Sequence, residues 1–484
     1  KGSDSVLDNW SPSCIVNHYY IQNPLMDISN KGHIQISGKN VVVIGIGESG
    51  KGAASLAKHL GANVLISDSD FNPKMIELSK LVQTVGIKTE LGGHSEKIYD
   101  ADLWIISPGV RQDATIIQNA KAKDIPVISE IEFASWFTDS PIIGLTGSNG
   151  KTTTVHLLNQ MCDTDGFSPA LCGNIGTAFS DIVLADMEEN KSGRIYVLEI
   201  SSFQMEHIVH FKPFISIFIN ITPDHMDRYL TMKDYVQAKY NMIQNQDEND
   251  HVVYNIDDPI LNNKFIGVLP QTHAFSLMGA DNTLLTTNST KIYDEAHATL
   301  IRLNQIALPG RHNLANILAA ATAAKILGIP NSRITQVIST FVGVEHRLER
   351  VLDINGVTYY NDSKATNVDA VKVALDSFDN TIYLILGGKD KGGKFSQLLP
   401  HAQNKVKEIV VYGQAIETIS AALGDAVKLE QVSSLKDAVE ICHLRAVSGD
   451  IVLLSPGCAS FDQFENFEER GDAFKSIVTE MAAA

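Results

Sequence analysis

Short, uniformly apolar runs alternate with helix-like stretches along most of this chain, and this alternation constrains the fold more than any other feature. Parallel strands covered by helices on both faces are typically continuous apolar runs, whereas strands with one wet face alternate apolar and polar residues. The sequence therefore predicts an α/β fold with largely parallel sheets. The predicted strands are 41–44, 64–67, 103–107, 142–145, 195–200, 215–220, 251–254, 382–386, 408–412 and 451–454.

The chain has 484 residues, enough for about three domains of ordinary size. We expect an extension or added segment at 1–37 and a Rossmann-like N-terminal domain at 38–130. A central P-loop ATPase-type domain with a parallel or mixed sheet is expected at 131–343, and a C-terminal Rossmann-like domain at 344–484. The polar, β-leaning stretch at 277–303 predicts a peripheral meander.

Composition narrows the class of partner. The formal net charge is −17, which would repel a phosphate backbone, so we expect no nucleic-acid partner. The five cysteines are scattered without a CxxC pair, which argues against a zinc site or disulfide framework and fits a reducing cytosol. No apolar run approaches 18 residues, so neither a membrane span nor membrane binding is expected, and the predicted location is the cytoplasm.

A glycine-rich turn follows the first predicted strand. Gly45-Ile-Gly47-Glu-Ser-Gly50 precedes a helix-like stretch, and Asp68 ends the next strand. Glycines let the backbone approach a pyrophosphate closely, and a helix N-terminus offers N–H groups and a partial positive charge. Taken alone, the pattern favours an NAD-type dinucleotide site. A structural turn and another nucleotide-linked ligand are the alternatives.

A second glycine-rich turn, TGSNGKTTT at 146–154, follows the apolar run at 142–145. Loop N–H groups can surround phosphates, Lys151 can reach the β- and γ-phosphates, and Thr152 can ligate Mg²⁺. Gly144 lies one position too early for the common GxxxxGK[ST] spacing, but strand, loop, lysine and helix occur in the expected order. The sequence therefore predicts a phosphate-binding loop.

Three polar residues follow this loop on separate segments. Glu199 lies in the apolar run at 195–200, His225 follows the run at 215–220, and Lys239 falls on the next helix. Ligands bind at the carboxyl ends of parallel strands, so we expect these segments beside the phosphate loop. Glu199 is a candidate Mg²⁺ ligand, since Mg²⁺ prefers few carboxylates plus substrate phosphates. An isolated His225 is more often structural, and Lys239 alone would be interpreted as a solvated helix lysine.

Seven motifs in order carry a resemblance to a known family. They are TGSNGKTT, LEISSFQ, NITPDHMDRY, GRHNLAN, EHRLE, NDSKATN and SPGCASFDQFENFEERG. From about Gly38 to its C-terminus, the chain resembles the Mur ligases of bacterial cell-wall synthesis. Its HRLE segment and the stretch 455–471 are most similar to members that add D-glutamate to UDP-N-acetylmuramoyl-L-alanine. The resemblance implies an ATP-dependent amide-bond-forming ligase of cytoplasmic peptidoglycan precursor synthesis, acting through an acyl phosphate.

The resemblance implies that the first turn holds the UDP part of the substrate rather than NAD. Asp70 stands where some relatives have a basic residue, so one expected phosphate contact lacks its counterpart. The positions that match UDP-substrate contacts are Gly47, Glu48, Ser49, Asp68, Ser69, Ser107, Gly109 and Asn174.

The resemblance also implies an ATP site with two Mg²⁺ ions. Lys239 matches a lysine that is carbamylated in the family, which converts a cation into a carboxylate-like anion near the metals. Metal ligation is the implied role of His225, with a base for the amine as the alternative. The implied catalytic residues are Lys151, Glu199, His225 and Lys239, and the implied metal-site residues are Thr152, Glu199, His225 and Lys239. The matching ATP positions are Gly147, Ser148, Asn149, Gly150, Lys151, Thr152, Thr153, Asn313, Arg347 and Asp362.

The third domain is implied to bind D-glutamate through Thr366, Lys391, Ser460 and Phe467, and a lysine with hydroxyls suits two carboxylates. The DNPR-type signature of relatives that add diaminopimelate or lysine is missing where this chain has GGKDKGGKF at 387–395. The expected partners are the two small-molecule substrates, and the expected state is a monomer. Because implied ATP contacts come from the second and third domains, we expect domain closure on nucleotide binding.

Four alternatives remain at this point. An NAD-linked dehydrogenase explains GxGxxG and Asp68 but leaves TGSNGKTT and the third domain without a role. A non-catalytic nucleotide-binding regulator could lose Glu199, His225 and Lys239, yet all three are present. A folate-type polyglutamate ligase lacks the N-terminal βαβ unit expected here. A Mur ligase of another amino-acid specificity would retain the mechanism.

Overall fold

The computed structural model describes residues 26–226, 228–308, 310–390, 392–424 and 426–483. Contacts divide the chain into two compact units. The first comprises the described residues up to Thr287 with 294–297 and 318–329, and the second comprises 288–293, 298–317 and the described residues from Pro330 onward. Within these described ranges, no helix has the length and apolar character needed to cross a membrane.

The first unit opens with a five-stranded, wholly parallel sheet in the order β3-β2-β1-β4-β5. Its carboxyl edge gathers the ends of three neighbouring strands, which places the first glycine-rich turn beside the loops after β2 and β4. The strands are β1 (Asn40–Ile44), β2 (Asn63–Asp68), β3 (Lys88–Leu91), β4 (Leu103–Ile106) and β5 (Val127–Ser129). The helices are α1 (Glu48–His59), α2 (Pro73–Thr84), α3 (Thr115–Ala122) and α4 (Glu130–Ser135).

The same unit contains a second parallel sheet with the strand order β7-β8-β6-β9-β10-β11-β12. The second glycine-rich turn follows its β6, between β8 and β9, where loops from three strands converge. The strands are β6 (Ile142–Thr146), β7 (Ser168–Gly173), β8 (Arg194–Glu199), β9 (Ile215–Phe218), β10 (His251–Asn255), β11 (Gln271–Ser276) and β12 (Leu285–Thr287). The helices are α5 (Lys151–Cys162), α6 (Phe179–Glu189), α7 (Met232–Tyr240) and α8 (Pro259–Lys264).

Close helix packing joins the two sheets of this unit. Helix α1 approaches α6 so closely that a Cβ at Gly52 would lie 3.1 Å from both Ala178 Cβ and Asp181 Cγ. The described part of the expected extension also packs here, since Met26 and Ile36 are buried in the same hydrophobic cluster as β1. The two glycine-rich turns are therefore held in one compact body.

The remaining elements include the antiparallel pair β13 (Lys291–Asp294) and β14 (Thr299–Arg302). The second unit is built on a sheet in the order β15-β16-β20-β17-β18-β19, of which β15 alone is antiparallel to its neighbour. Its strands are β15 (Glu349–Ile354), β16 (Val357–Asn361), β17 (Ile382–Gly387), β18 (Val406–Tyr412), β19 (Leu429–Gln431) and β20 (Ile451–Gly457). The remaining helices are α9 (Arg311–Ile326), α10 (Asn331–Thr340), α11 (Val368–Asp376), α12 (Leu399–Ala402), α13 (Ile416–Leu423), α14 (Leu435–Arg445) and α15 (Phe467–Ala483).

The predicted α/β class is confirmed, and each of the ten predicted apolar runs overlaps a strand. The prediction of a meander at 277–303 was only partly right, because β12 pairs in parallel with β11 and only β13 and β14 are antiparallel. Edge strands such as β3, with sequence KTEL, were missed because little of an edge strand is buried and its residues are polar. The N-terminal residues before Met26 lie outside the described part of the chain.

Candidate active site

The phosphate loop is fixed by a side chain from the neighbouring strand end. Backbone N–H groups of Ser148 and Asn149 donate to Asn220 Oδ1 at 3.1 and 2.9 Å, and Asn220 Nδ2 donates to Asn149 O at 3.1 Å. Gly150 caps α5 with φ at 84°, a left-handed conformation that glycine adopts without steric cost. The loop therefore enters the first turn of α5 in one defined conformation.

The hydroxyl of Ser148 fastens the loop a second time. It donates to Thr222 O at 2.8 Å and accepts from Thr222 N at 2.9 Å. Tyr235 OH lies 3.1 Å from the same oxygen. Lys151 Nζ closes the loop from inside, since it donates to Gly147 O at 2.9 Å and Ser148 O at 3.0 Å. An anion that enters the loop would meet this ammonium group at its centre.

Glu199, at the end of β8, brings two other predicted residues together. Its side chain is 2% exposed. Oε2 accepts from Thr152 Oγ1 at 2.8 Å, and Oε1 accepts from Asn174 Nδ2 at 3.0 Å. A buried carboxylate beside a threonine hydroxyl and a phosphate loop supplies the hard oxygen donors that Mg²⁺ prefers. The residues present thus fit a divalent cation bound jointly with phosphates.

Lys239 is not solvated, so the prediction from its isolated sequence context was wrong. Its side chain is 2% exposed, and Nζ donates to Gly147 O at 3.0 Å and Thr146 Oγ1 at 3.4 Å. The end of α7 packs against the phosphate loop, which hides the lysine in a way that helix periodicity alone does not reveal. Burial, aided by the Lys151 charge, holds the pKa of Lys239 well below its usual value.

His225 lies on the loop after β9. Its φ is 54°, and its side chain is 44% exposed. Nε2 lies 3.4 Å from Asp224 Oδ2, and the ring meets the Phe203 ring edge-on at 4.8 Å. In the part of the chain that the structure describes, no group of three or more His, Cys, Asp or Glu residues could hold a metal by itself.

The first glycine-rich turn is tightly packed on one side and open on the other. A Cβ at Gly50 would lie 1.9 Å from Gly45 O, and a Cβ at Gly45 would lie 2.7 Å from Ser107 Oγ. A Cβ at Gly47 would meet no atom within 4 Å. Asp68 supports the turn, because its Oδ2 accepts from Ile46 N at 2.8 Å.

The other predicted UDP-substrate positions of this sheet lie along the same edge. Glu48 is exposed and pairs with Lys51 at 2.8 Å. Ser69 follows β2, and Ser107 and Gly109 follow β4, where Ser107 Oγ donates to Gly45 O at 3.3 Å. Asn174 is the exception, since it lies after β7 of the second sheet and bonds to Glu199. It is therefore positioned beside the candidate metal site.

In the second unit, Asp362 follows β16 and is buried. Its Oδ2 accepts from Ser455 Oγ at 2.7 Å, and its Oδ1 accepts from Leu348 N at 3.2 Å. Burial raises the pKa of Asp362 to about 7, although the Arg347 charge nearby opposes the shift. Asn313, in the first turn of α9, accepts from Asn316 Nδ2 at 3.2 Å.

Three of the predicted D-glutamate residues, Thr366, Ser460 and Phe467, lie in the described part of the second unit. Ser460 is buried, and the preceding Ala459 exchanges two backbone hydrogen bonds with Lys389, at 2.8 and 3.1 Å. Ser363, which precedes Thr366 by three residues, donates from its Oγ to Phe467 O at 2.8 Å. Lys391 lies outside the described residues. The lysine-rich loop and Ser460 are thus neighbours through the bond between Lys389 and Ala459.

Sequence reasoning missed several residues that hold these loops. Asn220 and Arg228 both fall within the motif NITPDHMDRY, and Arg470 falls within FEERG. Arg470 is fully buried and donates to Ser363 Oγ at 2.9 Å and Cys458 O at 3.1 Å. Their only sequence signal was position inside a quoted motif, because the carbonyl and hydroxyl partners come from distant segments.

The first unit has two parallel sheets, each with a glycine-rich turn. A lysine, a threonine and a buried carboxylate meet at the second turn. This arrangement is typical of a nucleotide-dependent α/β enzyme. Family models match three successive segments of the chain. They are the Mur ligase MurD-like N-terminal domain at 39–129, the Mur ligase middle domain at 145–324 and the Mur ligase glutamate ligase domain at 346–458. The chain belongs to the Mur ligase family.

Similar proteins extend over nearly the whole chain. A protein of Christiangramia forsetii named UDP-N-acetylmuramoylalanine–D-glutamate ligase is 41% identical over 456 residues, covering 91% of this chain and 99% of that protein. One of the same name from Salinibacter ruber is 40% identical, with coverage of 90% and 96%. The crystal structure of UDP-N-acetylmuramate-alanine ligase from Thermotoga maritima has a TM-score of 0.58 at 17% identity, covering 92% of this chain and 100% of that one, and shows the shared fold.

Proposed function

We propose that this chain joins D-glutamate to UDP-N-acetylmuramoyl-L-alanine at the expense of ATP, in cytoplasmic synthesis of the peptidoglycan precursor. The observation that carries the proposal is the phosphate loop with Lys151 inside it and the buried pair Thr152–Glu199 beside it. The shared name of relatives about 40% identical along the chain supports the substrate pair. An NAD-linked dehydrogenase is not favoured, since it gives the phosphate loop no role.

The reaction needs a carboxylate to attack a phosphate, two groups that repel each other. In the proposed sequence, a substrate carboxylate oxygen bonds to the γ-phosphorus and ADP leaves, which gives an acyl phosphate. The D-glutamate amine then bonds to the carbonyl carbon, loses a proton, and inorganic phosphate leaves. Lys151 would release its loop carbonyls and hold the terminal phosphates, and such fixed charge is the main catalytic lever in phosphoryl transfer.

Mg²⁺ would supply positive charge at the phosphate oxygens. Thr152 and Glu199 have the oxygen donors to hold one ion, and we propose His225 for a second. Asn174 orients the Glu199 carboxylate, since it donates to Oε1 at 3.0 Å while Thr152 donates to Oε2. Proton removal from the amine by His225 is the alternative role for that residue.

We propose that Lys239 carries a carbamate. Carbamylation needs a neutral amine whose lone pair attacks carbon dioxide, after which the nitrogen loses a proton. Because burial and Lys151 hold the pKa of Lys239 well below its usual value, more of this amine is neutral at pH 7 than of an exposed lysine. The carbamate anion would then face the Lys151 ammonium group and the proposed metal site.

Carbon-13 NMR in labelled bicarbonate tests this modification. We expect one protected carbamate signal in the unchanged protein and its loss in Lys239→Met. Lys264→Met is a suitable control, because burial also lowers the pKa of Lys264, which lies on α8. A carbamate signal that survives Lys239→Met and disappears in Lys264→Met would contradict the proposal.

The substrate sites follow the same division of the chain. We propose that 38–130 binds the UDP moiety at the edge that bears Gly47 and Asp68, that 131–343 binds ATP and Mg²⁺, and that 344–484 binds D-glutamate near Ser460. The lysine-rich loop beside Ser460 supports a site for two carboxylates, since Lys389 bonds to the adjoining Ala459. A monomer is the proposed state.

Phosphate release from ATP tests the function directly. UDP-N-acetylmuramoyl-L-alanine and Mg²⁺ are supplied with D-glutamate, L-glutamate, L-lysine or meso-diaminopimelate in separate reactions. We expect release, with equimolar amide product, only with D-glutamate. Release only with a diamino acid would retain the ligase chemistry but reject the amino-acid specificity. No release with any amino acid, from folded protein that binds ATP, would reject the acyl-phosphate reaction.

A further inference from the structure

A half-buried arginine, Arg228, connects the proposed UDP-substrate loop with the phosphate-loop domain. Arg228 Nη1 donates to Pro108 O at 2.8 Å, and Nη2 donates to Val110 O at 2.9 Å. These carbonyls flank Gly109, a proposed substrate-contact position. The guanidinium also makes a bidentate pair with Glu206, at 3.1 Å from Nε and 2.6 Å from Nη2. The Arg228 and Glu206 side chains are only 10% and 5% exposed.

The Phe203 ring lies between this guanidinium and His225. Arg228 lies over the Phe203 ring at 4.1 Å, and the Phe203 ring meets the His225 ring at 4.8 Å. The backbone is coupled as well, because the N–H groups of Arg228 and Tyr229 donate to His225 O at 2.9 and 3.1 Å. His225 is held at a left-handed φ of 54° by this turn.

The planar fork of arginine makes this connection stiff. Four of its N–H donors are directed at two carbonyls and one carboxylate, while its face remains available for the ring. A lysine at 228 could offer its ammonium to some of these acceptors but could not bind the carboxylate in two places or stack flat on Phe203. These contacts therefore form a continuous path from the 107–110 loop through Arg228 to the Phe203 ring beside His225.

We propose that Arg228 is a positioning residue through which occupation of the UDP-substrate loop sets the placement of His225 at the nucleotide site. The inference rests on the proposed function, since it takes the 107–110 loop as part of the substrate site. It adds a linkage between the two sites: UDP-substrate tightens binding of the Mg²⁺–nucleotide, and reciprocally the nucleotide tightens binding of UDP-substrate.

Calorimetric titration with the non-hydrolysable analogue AMPPNP and Mg²⁺ measures this linkage without turnover. Its Kd is determined for the full chain with and without saturating UDP-N-acetylmuramoyl-L-alanine. We expect a ratio of roughly 5 or more for the unchanged protein, at the lower end of typical couplings. In Arg228→Lys the ratio should fall to within about 2-fold of one, while the Kd without UDP-substrate changes less than about 3-fold.

Arg194→Lys is the matched control. Arg194 Nε also binds both oxygens of one carboxylate, Asp186, at 2.9 and 2.8 Å, with side chains 13% and 7% exposed. It begins β8, at the opposite end of that strand from Glu199. The loss of a half-buried bidentate pair should be similar in both variants, so Arg194→Lys should retain the unchanged ratio. An equal fall in both variants would overturn the inference.

Phe203→Leu keeps the carbonyl and carboxylate bonds of Arg228 but removes the ring that reaches His225. In Phe203→Leu the ratio of the two AMPPNP Kd values should fall toward one, as in Arg228→Lys. If Arg228→Lys does not fold, Phe203→Leu alone tests the inference. The wild-type ratio in Phe203→Leu, or a ratio of one in the unchanged protein that binds both ligands, would overturn the inference. Absence of UDP-substrate binding in the unchanged protein would instead reject the proposed function.

Discussion

The two glycine-rich turns of the first unit share the pattern Gly-x-x-Gly-Lys but fold differently. Gly47 and Gly50 precede Lys51 as Gly147 and Gly150 precede Lys151. In the first turn the helix begins at Glu48, so its lysine is the fourth helical residue. In the second turn the helix begins at Lys151 itself. A shift of three residues in the helix start therefore changes where the lysine lies.

The two lysines consequently have different partners. Lys51 pairs with Glu48 at 2.8 Å and with Asp181 at 3.7 Å, and the bond to Glu48 raises its pKa. Lys151 donates to two loop carbonyls, those of Gly147 and Ser148, at 2.9 and 3.0 Å. The first lysine is paired with acids of the protein, whereas the second lies inside its loop, where we propose that it binds the terminal phosphates.

The turns also differ in the side chain that supports them. Asp68 accepts from Ile46 N in the first, and Asn220 accepts from Ser148 N and Asn149 N in the second. A neutral amide fixes its loop without adding negative charge, which suits the high charge of ATP. A carboxylate partly cancels the field of its turn, which a diphosphate ester of lower charge tolerates. The spacing of the glycines shapes the backbone of each turn, and we propose that these two side chains help to select its ligand.

Replacing the two lysines gives the largest expected contrast. Lys151→Met should lower kcat at least about 10³-fold, because it removes the cation that we propose to hold the terminal phosphates during transfer. Lys51→Met should change kcat less than about 3-fold and stability by about 1 kcal/mol, as for a partly exposed ion pair. Steady-state kinetics and thermal unfolding of both variants check this. Comparable losses of kcat would mean that the two turns do not differ in function as their partners indicate.

Substitutions of the two side chains that support the turns, Asn220 and Asp68, should give the second-largest effect. Asn220→Asp puts a carboxylate against the phosphate loop and removes the donor to Asn149 O, so the Kd of Mg²⁺–AMPPNP should rise about 10- to 100-fold. Asp68→Asn should leave that Kd within about 2-fold and weaken UDP-substrate binding, because one N–H facing its carboxylate loses an acceptor. Calorimetric titration of each ligand separates the two. An unchanged Kd of Mg²⁺–AMPPNP in Asn220→Asp would mean that the charge of the supporting side chain does not determine nucleotide affinity.

The methyl group introduced by Gly47→Ala probes the ligand space of the first turn. Gly47 has an ordinary φ of −58°, and a Cβ there meets no atom within 4 Å, so thermal stability should not change. If a diphosphate lies against this backbone, the methyl group occupies its space, and KM for UDP-N-acetylmuramoyl-L-alanine should rise about 10-fold, equivalent to ~1.4 kcal/mol. KM for ATP is the internal control. An unchanged KM for UDP-substrate would place the diphosphate elsewhere.

The parts of this molecule that could be predicted from sequence are those governed by local pattern. Apolar runs identified the central strands because those strands are buried on both faces. The order of strand, glycine loop and lysine predicted the turn between β6 and α5 because its backbone geometry depends on glycine at position 150. Edge strands such as β3 gave no apolar signal, and β12 was misread because a short strand does not reveal whether its partner is parallel.

The parts that could not be predicted depend on contacts between distant segments. Lys239 looks solvated on its helix, and only the packing of α7 on Gly147 shows that it is buried. Arg228 is recognisable as important only after Pro108 and Val110, about 120 residues earlier in the chain, are seen at its guanidinium. For a related reason, GxGxxG alone could not decide between NAD and another nucleotide-linked ligand, since it describes a backbone and not the ligand that it holds.

The smallest expected effect tests the shift in helix start itself. Gly150 is the cap of α5 at a φ of 84°, so Gly150→Ala should cost about 1 kcal/mol or slightly more in free energy of unfolding, because a Cβ is strained there. Gly47, the corresponding cap of α1, has an ordinary φ, and Gly47→Ala should stay within ~0.5 kcal/mol. Denaturant unfolding of both variants measures the difference. Equal costs would mean that the two caps have the same conformation. The difference between the two lysines could then not be explained by where their helices start.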